Sequence, residues 1–255
     1  MKLDSNAIYT VIVTRPEPDH ANLMQSLAAL NHAVIHAPAF DLLSKQVDMT
    51  AAQKIELLEQ ASGLIVVSPM AARTALKVFS LEHLRDALFF APGAATASVL
   101  EAKGLQVRVP VAHATSEAIL ALPELNQIEG QTFVLLKAAG GRELIAKTLE
   151  DRGASVVIIE LYQRRACTLN QEFLHLLARL KSERSGFCTL ISSGAAFDVL
   201  SAQLSKAQLD EWLKGWFIVS SARLAKHLKA AGVARLRVAS SAADADMLAA
   251  FESLR

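Results

Sequence analysis

The sequence predicts an α/β fold built as two similar parallel-sheet domains. Three observations point to it. Short β-branched runs alternate with amphipathic stretches along the whole chain, glycines stand at the ends of several of those stretches, and the first half of the sequence is paralleled by the second. A composition of 52% hydrophobic but only 5% aromatic residues suits aliphatic helices packed on buried parallel strands. At 255 residues the length admits one large domain or two small ones.

In chain order, the run VIVT (11–14) predicts the first strand, and Pro16 sits where a first helical turn tolerates proline, so a helix is expected over 17–30. Ala33–Pro38 reads as a strand entering a linker. A helix over 50–60, the strand LIVV (64–67) and a helix over 70–79 behind Pro69 follow. Phe89–Phe90 marks the next strand, and the helix 94–103 is stopped by Gly104 before the strand VRV (107–109). A helix over 116–122, the strand FVLL (133–136), a helix over 142–152 stopped by Gly153, and the strand VVII (156–159) repeat the alternation. The last third predicts helices over 170–181, 195–205, 222–231 and 243–254 around the strands TLI (189–191), FIV (217–219) and LRV (236–238), with Gly232 as a further stop.

Laid over each other, residues 11–40 parallel 133–163, each a strand, a turn, a helix and a second strand. Residues 64–76 parallel 189–200, both placing a serine after a buried strand, and 89–109 parallel 216–238. Two copies of one α/β unit are therefore expected. A repeat of this kind names no ligand, but it locates one: in open parallel sheets, ligands bind beyond the carboxyl ends of the strands, where helix N-termini present unpaired N–H groups.

Several function classes are disfavoured. A formal net charge of +1, with Lys and Arg scattered, gives no field to attract a polyanion, so no nucleic-acid partner is expected. No apolar run reaches the roughly 18 residues of a membrane span, so no membrane partner is expected either. The start MKLDSNAIYT lacks the apolar core of a secretory signal and the chain has only Cys167 and Cys188, which predicts a cytoplasmic protein without a disulfide framework. His32 and His36 have the i, i+4 spacing of a metal pair, but that spacing serves a helix and this segment reads as a strand. With no HExxH, CxxC, Walker lysine loop or complete GxGxxG, the expectation is no metal and no cofactor; AAGGRE (138–143) is a generic anion-binding turn.

VTRPE (13–17), LIVVSPMAA (64–72) and PGAATASVLEAKG (92–104), with its Gly-x-x-Thr-Ala helix start, together resemble the uroporphyrinogen-III synthase family, and IIELYQRR (158–165) fits it as well. The resemblance spans essentially the whole chain, in order and spacing. It implies two parallel α/β/α (flavodoxin-like) domains joined by a two-stranded linker, with the chain crossing twice: a discontinuous first domain of 1–37 and 168–255, an inserted second domain of 42–162, and linkers at 38–41 and 163–167. It also implies a cofactor-free lyase that closes hydroxymethylbilane to uroporphyrinogen III, inverting ring D and releasing water. The small-molecule substrate is the expected partner, with the chain a monomer and a transient contact with the preceding enzyme of the pathway left open. A non-catalytic two-lobed protein binding a small anion or tetrapyrrole is the alternative, since the same fold and cleft would serve it.

A substrate with eight carboxylates calls for many dispersed anion sites. Helix N-termini suit this, each contributing roughly 0.3–1 kcal/mol per carboxylate at exposed positions. The turns at Ser68, Thr96, Gly140–Gly141, Ser192–Ser193 and Ser220–Ser221 offer such ends with hydroxyls beside them. Each serine or threonine also reads as an N-cap, worth about 1 kcal/mol to stability and nothing to function. Thr96, one turn inside its helix if Gly93 ends the loop, is explained less well by capping; the second-half turn at Ser220–Ser221 lacks the family's Gly-x-x-Thr spacing. Arg15, Lys137 and Arg142 are candidates for carboxylate pairing or for covering a domain edge. Tyr162, by resemblance and by its place at the domain crossing, is the candidate proton donor.

Overall fold

The computed structural model describes residues 9–254 except 86, 112–114, 142 and 180–185. In chain order its elements are β1 (Thr10–Val13), α1 (Ala21–Ala29), β2 (Ala33–His36), β3 (Phe40–Ser44), α2 (Ala51–Gln60), β4 (Gly63–Val66), α3 (Pro69–Val78), α4 (Leu81–Leu84), β5 (Phe89–Phe90), α5 (Ala94–Glu101), β6 (Val107–Arg108) and α6 (Ser116–Leu120). After a 3₁₀ turn at Pro123–Leu125 come β7 (Thr132–Ala138), α7 (Leu144–Asp151), β8 (Ser155–Ala166), α8 (Gln171–Arg179), β9 (Phe187–Ile191), α9 (Gly194–Gln203), α10 (Lys206–Leu213), β10 (Trp216–Val219), α11 (Ala222–Ala230), β11 (Arg235–Val238) and α12 (Asp244–Glu252).

The chain divides into two compact units, one formed by residues 1–41 and 165–255, the other by Leu42–Arg164. The first unit holds a five-stranded sheet in the order β11-β10-β9-β1-β2, every neighbouring pair parallel. Numbered along that unit the order is 2-1-3-4-5, the flavodoxin-like winding. The second unit holds a six-stranded sheet, β3-β8-β7-β4-β5-β6, whose pairs from β8 to β6 are parallel. Reading β7 as β1, β8 as β2, β4 as β9, β5 as β10 and β6 as β11 turns one order into the other, with β3 added at the edge. This likeness is one of topology.

Strand period explains the packing, because alternate residues face opposite sides of the sheet. In the first unit Ile12, Ile191, Phe217 and Val219 join Phe173 of α8, Phe197 of α9, Trp212 of α10 and Leu228 of α11 on one side. Val11, Val13, Leu190 and Ile218 join Leu23 and Leu27 of α1 and Phe251 of α12 on the other. The second unit repeats the arrangement, with Leu64, Val66, Val134 and Leu136 under α3 and α5, and Ile65, Phe90, Phe133 and Leu135 under α6 and α7. Each such side chain contributes about 1.5–3 kcal/mol on burial. Trp212, fully buried, keeps its indole N–H paired with Thr189 Oγ1 at 2.9 Å.

Some expected boundaries move. The first helix starts at Ala21 and not at 17, leaving Pro16 in the preceding loop. Turns at 17–20 precede the helix. Pro69 does stand in the first turn of α3. Gly104, Gly153 and Gly232 follow their helices with positive φ, as stops do. The second half of the expected linker 38–41 is already strand, because β3 begins at Phe40, and 163–166 continue β8. Of the expected helix 170–181, residues 180 and 181 lie outside the described residues.

Candidate functional site

Every described candidate residue lies at the carboxyl edge of its own sheet. In the second unit, Ser68 follows β4, Thr96 lies in the first turn of the helix after β5, Lys137 is the last residue but one of β7 and Gly140–Gly141 turn out of that strand, while Tyr162 lies in β8. Strands β8, β7, β4 and β5 are consecutive neighbours, and the winding reverses between β7 and β4. In the first unit, Arg15 follows β1, Ser192 and Ser193 follow β9, and Ser220 and Ser221 follow β10, with the reversal between β1 and β9. Ligand crevices of open parallel sheets form at such reversal points. Arg142 lies outside the described residues.

Tyr162 and Ser68 meet directly. The Tyr162 hydroxyl lies 3.0 Å from Ser68 Oγ, and Ser68 Oγ also accepts the Ala71 N–H at 3.1 Å as the N-cap of α3. Ser68 is thus both a cap and the partner of the phenol. Tyr162 is only 2% exposed and belongs to the core between the sheet and α3; β8 runs past it to Ala166, so it stands inside a strand and not at its end. A register shift in β7 between Lys137 and Ala138 sets Tyr162 opposite Ala138. Thr96 is the third residue of α5, whose N-cap Gly93 has no side chain to close the first turn, and it is 3% exposed.

The Gly140–Gly141 turn already holds a carboxylate. Both glycines have positive φ, and the Gly140 N–H donates to Glu160 Oε1 at 3.0 Å, while Lys45 Nζ reaches Glu160 Oε2 at 2.6 Å. The Lys45 hydrogen bond first, then the Gly140 N–H, holds the Glu160 carboxyl below its ordinary value. Lys137, directly opposite Glu160 across β7 and β8, adds to that field. A shallow concavity of about 450 Å³ runs beside this edge, lined by Lys45–Met49 and Ile158–Glu160. It takes in none of the candidate residues.

In the first unit the serines split between two duties. Ser193 caps α9 by accepting the Ala196 N–H at 3.4 Å, and Ser221 caps α11 by accepting the Leu224 N–H at 3.3 Å. Ser220 Oγ instead donates to the Ser192 carbonyl at 3.2 Å, tying the β9 and β10 turns together. Arg15 is engaged internally, its guanidinium donating to the Asp244 carboxylate at the start of α12 and to the Ala242 carbonyl. Near the unit boundary, Cys167 Sγ donates to Asp41 at 3.2 Å; burial first, then the Asp41 carboxylate, pushes this thiol up to about 11. Cys167 and Cys188 are both free thiols.

The fold also assembles a group that sequence spacing did not reveal. Among the described residues, the ligating atoms of Glu17, His20 and His36 lie within 4.8 Å of one another. The rings of His20 and His36 stack with centroids 3.9 Å apart. Burial first, then the facing His36, lowers the His20 pKa from its ordinary value. His32, four residues before His36, turns the other way: it is buried, accepts the Tyr9 N–H on Nδ1 at 3.3 Å and meets Phe251 edge-on. The i, i+4 pair is therefore no pair, and His36 finds its neighbour across the β1–α1 turn.

The family described as uroporphyrinogen-III synthase HemD matches residues 21–249. Uroporphyrinogen-III synthase of Escherichia coli (strain K12) is 29% identical over 95% of this chain and 100% of its own length. That of Proteus mirabilis is 34% identical over 61% of this chain and 80% of its own. In fold, the chain is similar to a uroporphyrinogen III synthase variant of the extremely thermophilic bacterium Thermus thermophilus, with a TM-score of 0.63 at 19% identity, covering 96% of this chain and 98% of that one. It is also similar to uroporphyrinogen-III synthetase of Helicobacter pylori 26695, with a TM-score of 0.62 at 14% identity over 97% and 100%. With its parallel-sheet units and with 21–249 of 255 residues matched, the chain belongs to the uroporphyrinogen-III synthase family.

Proposed function

We propose that the chain is a cyclising lyase that converts hydroxymethylbilane to uroporphyrinogen III with loss of water and inversion of ring D. Family membership over nearly the whole length supports the reaction, and the hydrogen bond between Tyr162 and Ser68 at the carboxyl edge of a parallel sheet supports the site. Departure of the ring-A hydroxyl leaves an electrophilic azafulvene. The substituted carbon of ring D attacks it to give a spiro intermediate, which fragments and recloses with that ring inverted. Tyr162 Oη, oriented by Ser68, is the proposed donor of the proton that turns the leaving hydroxyl into water. The N-termini of α3, α5, α9 and α11, with Thr96, Ser192, Ser193, Ser220 and Ser221 beside them, are the proposed anchors for the carboxylates, and Arg15 and Lys137 the proposed cationic contacts. A free bilane also closes without inversion, so holding rings A and D in the productive geometry is the main catalytic task.

The chain is further proposed to act as a cytoplasmic monomer. Two free thiols agree with a reducing compartment, and no helix of the described residues is long and apolar enough to cross a membrane. A purely binding role is not favoured, since the relatives matched over the whole chain are synthases. The decisive experiment adds purified protein to freshly generated hydroxymethylbilane, without metal or nucleotide, and separates the type I and type III isomers after oxidation. A type III product is expected. Type I alone, at the rate of the protein-free control, would overturn the assignment.

A further inference from the structure

Three groups that the proposed reaction does not use meet at the carboxyl edge of the first unit's sheet. Glu17 lies in the β1–α1 loop, His20 is the residue just before α1, and His36 ends β2, the strand paired with β1. Their ligating atoms all fall within 4.8 Å of one another, and the two imidazole rings are parallel within 8°.

Hydrogen bonding leaves the ring nitrogens ready for a cation. His36 Nε2 is 2.7 Å from the Arg15 carbonyl oxygen, and a carbonyl only accepts, so this nitrogen carries the proton and Nδ1 keeps a lone pair. A backbone carbonyl on the far nitrogen is the usual outer support of a metal-binding histidine. His20 Nδ1 is buried with no hydrogen-bond partner, a position that a neutral polar atom rarely keeps without a ligand. The helix dipole at the start of α1 works against a cation, but Glu17 and Asp19 place negative charge beside His20 and oppose it.

We propose that Glu17, His20 and His36 form a binding site for a borderline divalent transition-metal ion, with zinc as the reference, held by three protein ligands and one open position. Two imidazoles and a carboxylate match the donor set of such ions and suit calcium or magnesium poorly. Tetrahedral zinc at ~2.0–2.1 Å from nitrogen needs ligand atoms roughly 3.3 Å apart. Binding therefore draws the groups inward, and Glu17, exposed at the loop surface, supplies most of that movement. His20, the N-cap of α1, and His36, the last residue of β2, stand beside regular elements, so their backbones are the fixed part of the site.

The test uses the full-length protein stripped with a chelator and dialysed, then titrated with Co²⁺ and back-titrated with Zn²⁺. Expected are one equivalent of Co²⁺ with visible absorption of the strength typical of tetrahedral or five-coordinate ions, displacement by Zn²⁺, and a melting temperature raised by a few degrees with Zn²⁺ in excess. Glu17→Gln and His20→Gln should each weaken binding at least tenfold and abolish the thermal shift, whereas Cys167→Ser should leave both intact. Should His20→Gln fail to fold, the surface variant Glu17→Gln decides alone. Equal Co²⁺ binding by Glu17→Gln and the parent, or loss of the spectrum only in Cys167→Ser, would overturn the proposal.

Discussion

Ser68 makes two contacts at once, to the Ala71 N–H and to the Tyr162 hydroxyl, and they can be separated by substitution. Tyr162→Phe keeps the buried ring and removes the hydroxyl, leaving Ser68 still bonded to the Ala71 N–H. If the phenol donates the proton, kcat should fall about 10²–10⁴-fold. Stability should drop by only about 1 kcal/mol, a shift of a few degrees in melting temperature. Wild-type turnover with that small thermal loss would reduce Tyr162 to packing. Ser68→Ala deletes the α3 cap and the phenol's partner together, so a loss of about 1–2 kcal/mol should accompany a smaller fall in kcat than that of Tyr162→Phe. Thr96 offers the contrast, because the α5 N-cap is a glycine and its removal opens no side-chain cap. Thr96→Ala should therefore lower kcat/KM by more than its thermal loss accounts for, measured by single-turnover kinetics beside thermal melts.

At the scale of elements, the sheets reject added volume where strands and rings press together. A Cβ on Gly63, the first residue of β4, would sit 2.7 Å from Phe90 Cε2 and 3.1 Å from Phe133 Cε1, both rings in the core. Gly63→Ala should cost about 1–3 kcal/mol, seen as a lower urea midpoint with unchanged slope. The β7–β8 edge has its own pH signature. The folded-state pKa of Glu160 lies below that of the unfolded chain, so its stabilising effect is complete above about pH 4.3 and is lost as pH falls through the folded value. Urea midpoints of Glu160→Gln and the parent should thus differ at pH 7 and converge as the pH falls through the folded value. Strand-rich runs such as 64–67 and 133–136 were legible because two-sided burial makes them continuously apolar. The helix α10 was not: its capping box at Ser205 and Gln208 and its Leu209, Trp212, Leu213 stripe are plain in sequence, but it is a second helix between two consecutive strands, for which a strict strand–helix alternation leaves no place. Strand β3 was missed because FDLLS is half-buried from Phe40 to Leu43 and exposed at Ser44, without the continuous apolar run of a central strand. Among candidate residues, the serine-bearing turns followed from strand and helix order, whereas Glu17 and His20 are brought to His36 by the pairing of β1 with β2, which spacing along the chain does not encode.

The whole molecule is one unit inserted into another, and the insertion is arranged so that both ends of the inserted piece lie together. The chain leaves the first unit between Asp41 and Leu42 and returns between Arg164 and Arg165. Just inside, the Lys45 N–H donates to the Leu161 carbonyl at 2.8 Å; just outside, the Cys167 N–H donates to the Ala39 carbonyl at 3.0 Å. Asp41, paired with Arg165 at 2.9 Å and accepting from Cys167, fastens the outer side of the crossing. Each unit has apolar clusters on both faces of its own sheet. A segment with its own core and adjacent ends is in principle able to fold without the rest of the chain. Leu42–Arg164 expressed alone should therefore give a single cooperative unfolding transition in urea with α/β circular dichroism. The complementary protein, with Asp41 joined to Arg165 through a short Gly/Ser linker, should fold as well, because the closure it must make is the one the paired ends already define. Neither piece should form the type III isomer, since the proposed anchors Ser192 and Ser220 lie in one and Tyr162 in the other. A non-cooperative, expanded 42–164 segment would show that the inserted unit depends on its host for folding, and type III product from either piece would confine the whole site to that unit.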